Sequence, residues 1–120
     1  MSERRGVGMR GEELAARHLQ QAGLSILARN VRLPAGEIDL VAQDGDEVVI
    51  VEVKTRQGDE STAPDRAVTP AKLARLDRLG EQYVEGAGIP DVSWRVDVVA
   101  IVLGRDGRIV HLDHLRGAYL

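Results

Sequence analysis

Residues 36–54 read GEIDLVAQDGDEVVIVEVK, two strand-forming runs around a turn, with acids near both outer ends. In the first run Ile38, Leu40 and Ala42 alternate with Glu37, Asp39 and Val41. The second, Val48 to Val53, is rich in β-branched residues, which suit a pleated and largely buried surface. Asp44-Gly45 supplies the turn, because both residues tolerate the positive φ that a tight hairpin needs. A turn centred there pairs Val41 with Val48, Asp39 with Ile50 and Glu37 with Glu52. Side chains repeat every second residue along a strand, so Glu37, Asp39 and Val41 are expected on one face with Val48, Ile50, Glu52 and Lys54. Asp39 and Glu52 become diagonal neighbours with Cβ atoms roughly 7 Å apart, within the span of one divalent cation. Parity decides this: a three-residue loop would send Glu52 and Lys54 to the opposite face.

Two carboxylates and an ammonium on one face of a mostly apolar hairpin need partners, since an unpaired buried charge is very costly. Either Lys54 neutralises Asp39 and Glu52 in a structural network, or the acids hold a cation. Spacing alone leaves both open. Asp39, followed across the hairpin by Glu52-Val53-Lys54, resembles the D…(D/E)-x-K signature of the PD-(D/E)XK nuclease superfamily. More closely, GEIDLVA and VEVKTR, with the upstream GEELAARHLQQAGLSILARN and the downstream WRVDVVAI, resemble the YraN family. That family is similar in layout to archaeal Holliday-junction resolvases, and the likeness runs from about Gly8 to Ile101.

The resemblance implies a restriction-endonuclease-like α/β fold and a metal-dependent nuclease acting on DNA, with branched or otherwise structured DNA as the substrate class. It implies that Asp39, Glu52 and the Val53 carbonyl bind Mg²⁺ or Mn²⁺, hard cations that take oxygen ligands. Glu12 falls at the position of the helix-borne acid of the resolvase-like site and would join them. Lys54 would steer the attacking water or stabilise charge developing on the phosphate. A resolvase-like enzyme cuts two strands symmetrically, which implies a homodimer with paired sites. The superfamily also contains members that have lost catalysis, so the rival reading is a nucleic-acid-binding or assembly module that hydrolyses nothing.

With 120 residues the chain is expected to form a single domain over 1–120 around one core. It has no cysteine, which excludes a disulfide framework and a thiolate zinc site. No apolar run of signal-peptide or membrane-spanning length follows Arg4 and Arg5, so the expected location is cytoplasmic, with no membrane partner. The net charge of −3 is unevenly spread. Residues 1–32 carry six arginines against three glutamates, residues 33–63 carry Lys54 and Arg56 against eight acids, and the remainder balances at eight each. An acidic hairpin flanked by arginines suits a phosphodiesterase whose acids hold metal and whose basic groups position phosphates, as it also suits an ordinary solvated surface. The only aromatics are Tyr83, Trp94 and Tyr119, too few for a platform that stacks unpaired bases.

Outward from the hairpin, Gly6 to Gly11 matches G-x-G-x-x-G but lacks the preceding strand and the following acid of a dinucleotide site. Its glycines are read as a flexible lead-in to a helix from about Met9 to Ala22, stopped by Gly23. There Glu12, Ala15, Ala16 and Leu19 share one face, while Glu13 lies with Arg17 and Gln20 on a solvated one. Glu12 also suits a first-turn position, where a carboxylate favours the helix dipole. Leu24 to Arg32 reads as a strand ended by Pro34-Ala35-Gly36, and Thr55 to Ala63 as an exposed loop at the mouth of the site, begun by Arg56. Thr69 caps and Pro70 opens a second helix whose buried stripe is Leu73, Leu76, Leu79 or Gly80, and Tyr83. Lys72, Arg75 and Arg78 make a basic stripe beside it; with Arg10 and Arg56, Lys72 and Arg75 are the candidate phosphate contacts. Val92 to Leu103 is a central strand on which Arg95 and Asp97 share a face, as a structural pair or with Asp97 near the site. A last, edge strand covers about Arg108 to Leu112, and His111 and His114 face opposite ways as a poor metal pair. The whole is a mixed sheet of about five strands with flanking helices.

Overall fold

The apolar runs assemble into one five-stranded sheet, and the two stretches of helical periodicity cover its opposite faces. The computed structural model describes residues 3–118, with side chains from residue 6 onward. The elements are α1 (Glu3–Gln21), β1 (Ser25–Leu33), β2 (Gly36–Asp44), β3 (Glu47–Gln57), α2 (Pro70–Gly86), β4 (Trp94–Leu103) and β5 (Ile109–Leu115). Strand order follows the chain; β3 and β4 are parallel across the α2 crossover and every other pair is antiparallel. This is the α/β, mixed-sheet architecture expected of a restriction-endonuclease-like fold.

Successive β3 residues show why there are three layers. Val49 and Val51 pack with Ala15, Ala16 and Leu19 of α1, while Val48 and Ile50 pack with Leu76 and Leu79 of α2. A strand buried on both faces needs the near-continuous apolar run found in β3 and β4. The α2 cap is formed as expected: the Thr69 hydroxyl accepts from the Lys72 N–H at 3.1 Å. Its buried stripe is Leu76, Leu79, Gly80 and Val84, with Leu73 and Tyr83 at the margins. The stripe shifts because Gly80 sits directly on Trp94, whose ring comes within 2.3 Å of where a Cβ would be.

Several boundaries differ from the sequence expectation. α1 begins at Glu3, not Met9, and runs through Gly6 and Gly8. Glycine weakens a helix by about 1 kcal/mol without ending it, and Val7 packs against the α1-side core. β5 continues to Leu115, because β4 offers it a full partner as far as Val98.

At Gly11 α1 lies directly against Thr55 of β3. A Cβ there would stand 1.9 Å from the Thr55 hydroxyl oxygen, so only glycine admits this approach. Gly11→Ala should therefore destabilise the protein by about 1–3 kcal/mol, the usual cost of overpacking. Urea denaturation of this variant and of Gly11→Ala with Thr55→Ala checks it, the second change recovering much of the loss.

The hairpin register is displaced by two residues from the expected one. Asp44 pairs with Glu47, so the turn is Gly45-Asp46, and Leu40↔Val51 is the last pair before β2 and β3 part. Gly45 has φ +60°, and placing the glycine first lets the turn follow the strand twist. A shift of two keeps parity, so Val41, Val48 and Ile50 do share a face. Glu37 is a correction: it pairs with Arg32 of β1, not Glu52. Ile38 and Val41 pack on the α2 side while Leu40 packs on the α1 side, so the alternation slips between Ile38 and Leu40. The slip lies at Asp39, which takes no pair in the β1–β2 ladder. Asn30 is the residue skipped on β1, and it has φ +51°.

Candidate functional site

The fork where β2 leaves β3 is built by that irregularity. Past Leu40↔Val51, Asp39 Oδ2 accepts the Val53 backbone N–H at 2.8 Å, so a carboxylate replaces the missing ladder partner. Asp39 thus lies one step beyond the last pair, level with Glu52 and not diagonal to it. α1 brings Glu12 to the same place through the Gly11–Thr55 contact. With its amide nitrogen facing the carboxylates, which only accept, Asn30 donates to Glu12 Oε1 at 2.9 Å and to Glu37 Oε1 at 3.1 Å.

The electrostatics follow from burying acids side by side with few cations. Burial is the main influence that raises Asp39, opposed by the Val53 N–H and reinforced by Glu52, Glu12 and Glu37; its pKa is pushed up to about 7. Glu12 is also raised, by burial first and then by Glu37 and Glu52, against the pull of Arg29. Among the described residues no cationic side chain is bonded to Asp39 or Glu12. A cleft of about 540 Å³ opens beside Glu12, lined also by Gly8, Val53, Thr55, Arg56 and Gln57.

The basic groups are placed differently from the sequence expectation. Lys54 does not bridge Asp39 and Glu52. Its ammonium meets Asp65 at 3.2 Å and the Ala67 carbonyl, both in the loop before α2. Arg56 joins the same loop, 3.8 Å from Asp65 and 3.2 Å from the Ala63 carbonyl. The Lys54 contact is the main reason Asp65 is held below its ordinary pKa. Glu52 is paired instead with Lys72 of α2, at 2.6 Å. Arg75 passes over Gly36 at the start of β2, so Lys72 and Arg75 both lie on the α2 side of the fork. Arg10 instead donates to the Gly107 carbonyl in the β4–β5 turn, at 3.2 Å.

Asp97 belongs to a separate network. It is wholly buried, receiving Arg95 at 2.9 Å, His114 Nε2 at 2.9 Å and the Gly117 N–H at 3.0 Å. Burial would raise its pKa, but those bonds together outweigh burial and hold the carboxyl low. His114 Nδ1 in turn meets His18 of α1 at 3.2 Å, while His111 turns to the Glu60 carbonyl. The Arg95–Asp97 pair is therefore structural, tying β4 to the chain end. Sequence reasoning missed Asn30, Asp65 and His18. Only Asn30 left a signal: an asparagine inside a strand pattern is unfavourable unless the chain bends there.

The acids, one carbonyl and no sulfur make an oxygen donor set whose chemistry fits Mg²⁺ or Mn²⁺. Asp39 keeps Oδ1 without a protein partner among the described residues. Among the same residues no three acidic or imidazole side chains converge on one point, so a cation here would rest on Asp39, Glu52 and the Val53 carbonyl, with Glu12 nearby. No helix among the described residues is long and apolar enough to cross a membrane.

Comparison with known proteins gives one consistent match. The model of uncharacterised protein family UPF0102 matches residues 11–101, a span that holds Glu12, the whole hairpin and β4 as far as Ile101. A UPF0102 protein of Symbiobacterium thermophilum is 50% identical over 105 residues, 88% of this chain and 89% of its own. One from Nocardioides sp. is 47% identical over 114 residues, 95% of this chain and 91% of its own. One from Streptomyces coelicolor is 45% identical over 119 residues, 98% of this chain and 91% of its own.

Proposed function

Since the chain belongs to the uncharacterised protein family UPF0102, which is YraN-like, we propose from its site that it is a Mg²⁺- or Mn²⁺-dependent nuclease hydrolysing DNA phosphodiester bonds. One observation carries this reading. At the strand fork Asp39 is buried, with Glu52, Glu12 and Glu37 beside it, so that its pKa is pushed up to about 7, and among the described residues no side-chain cation is bonded to it. Strongly perturbed acids mark functional sites, and Glu12, whose pKa is also raised, lines the cleft beside the fork.

Asp39, Glu52 and the Val53 carbonyl would hold the cation, with Glu12 nearby. What bound Mg²⁺ or Mn²⁺ supplies is polarisation of the scissile phosphate and neutralisation of its charge. Lys54 follows Glu52 by two residues and so shares its face of β3. Once its ammonium leaves Asp65 and the Ala67 carbonyl, it stabilises charge developing on the phosphate oxygens or orients the attacking water. Arg56, Lys72 and Arg75 contact flanking phosphates, with Lys72 exchanging Glu52 for the substrate. Without base-reading aromatics, selectivity comes from DNA shape, such as a branch or flap, presented to a two-fold dimer.

A second reading has one observation in its favour. Both Lys54 and Glu52 already have partners within the chain, which suits a nucleic-acid-binding or assembly module that hydrolyses nothing. The assay that separates them offers four-way junction, flap, single-stranded and linear duplex DNA, with Mg²⁺ and with Mn²⁺, and measures binding and cleavage independently. The nuclease should cut branched DNA and lose this in Glu52→Gln, with binding that weakens steeply as salt rises. Salt-sensitive binding without cleavage identifies the module, and no binding at low salt removes DNA altogether.

A further inference from the structure

Asn30 is the only non-glycine residue with positive φ among the described residues, at +51°. Asparagine tolerates this left-handed region better than most residues, but the conformation still costs energy, and such outliers persist where surrounding contacts demand them. The demand here comes from the side chain. Asn30 sits opposite Asp39 in the β1–β2 ladder, where both are skipped between Arg29↔Leu40 and Val31↔Ile38. From this bend its amide, assigned with the nitrogen toward the acids because the opposite orientation would face oxygen with oxygen, donates to Glu12 Oε1 and Glu37 Oε1, at 2.9 and 3.1 Å. One amide nitrogen has two N–H groups, and each serves one acid.

We propose that Asn30 is a positioning residue of the site: its bent backbone and two-pronged amide hold Glu12 at the strand fork and keep Glu37 to one side. The proposal rests on the cation-dependent reading above for its purpose, and on the geometry at Asn30 for its substance. The choice of side chain follows from that geometry. Aspartate has the same shape but would offer a third acceptor to two acids. Glutamine would reach past them, and alanine at this φ would be strained with nothing to donate. Glycine adopts the same φ freely, so Asn30→Gly removes the amide while leaving the bend.

The test uses the full chain and two measurements. In calorimetric titration with Mn²⁺, Asn30→Gly should bind about 10-fold more weakly than wild type, the lower end of what losing an outer-shell partner costs. The loss should not add to that of Glu12→Gln, because both act through the same carboxylate. In nitrogen-edited NMR spectra of the metal-free protein, the Asn30 side-chain amide protons should be shifted downfield, one moving in Glu12→Gln and the other in Glu37→Gln. Amide signals at solvent-exposed positions, indifferent to both substitutions, overturn the proposal whatever the Mn²⁺ result. Wild-type Mn²⁺ affinity in Asn30→Gly also overturns it, leaving Asn30 as a backbone device. If wild type takes up no Mn²⁺ while the amide signals respond as expected, Asn30 still positions Glu12 and it is the cation reading that fails.

Discussion

Asp39→Asn should be more stable than the wild type above pH 7 and should lose Mn²⁺ binding. The Asp39 carboxyl has a folded-state pKa of about 7 against an ordinary value of 3.8, chiefly because burial disfavours its charge. Between these two values the folded protein binds more protons than the unfolded chain, so stability falls as pH rises through that window. Above pH 7 the penalty is complete, and below pH 4 it is absent. At 1.36 kcal/mol per unit, discounted for partial exposure, it amounts to about 2–4 kcal/mol. Asparagine avoids the charge while its side-chain oxygen still accepts the Val53 N–H. Thermal unfolding followed from pH 4 to pH 8 should show the two proteins converging at the acid end and the variant ahead at the alkaline end. Mn²⁺ at a hundred times its dissociation constant should stabilise only the wild type, by about 2.7 kcal/mol, narrowing or reversing the gap. A variant less stable than wild type at pH 8 without metal would mean that Asp39 is held by attractions the structure does not contain.

Lys54→Ala should reduce DNA cleavage at least about a hundredfold while leaving the fold intact, as expected for loss of a group that stabilises transition-state charge. The structure makes the second half of this expectation specific. Had Lys54 been the counter-ion of Asp39 and Glu52, its removal would cost roughly 3–5 kcal/mol by leaving buried charge unpaired. Its carboxylate partner is Asp65, whose side chain is 38% exposed, so losing the pair should cost under about 1 kcal/mol. Urea denaturation alongside single-turnover cleavage separates the two effects. Mn²⁺ affinity should be largely retained, since Lys54 supplies no oxygen ligand. Unfolding as severe as a core truncation would return Lys54 to a structural role.

Those two experiments address residues that were visible in the sequence, but for reasons that differ in reliability. Glu52 and Lys54 were legible because alternation along a strand is a local property, and the apolar run around them could only be a strand buried on both faces. Glu12 was legible for the same kind of reason: Ala15, Ala16 and Leu19 are fully buried, and Glu12 begins their stripe. The cap at Thr69-Pro70 and the surface pair Glu13–Arg17, at 3.3 Å, followed from equally short-range rules. The hairpin register did not. Asp44-Gly45 and Gly45-Asp46 are both acceptable turns by composition, and the choice between them depends on how β3 lies against β4 and β2 against β1.

What the sequence by itself determined, then, was the identity and order of the elements and the face on which each strand acid of the D…E-x-K pattern falls, except where the chain bends at Asp39. Only the tertiary structure decided what each charge meets. Lys54 finds Asp65, Glu52 finds Lys72, and Glu12 finds Glu37 through Asn30, each across a gap in sequence that no periodicity spans. Long side chains reach several ångströms in many directions, so their partners are set by how α1, α2 and the loop before α2 come to rest on the sheet. Local pattern limits the direction in which a side chain leaves the backbone; the packing of distant elements selects the group waiting at its end.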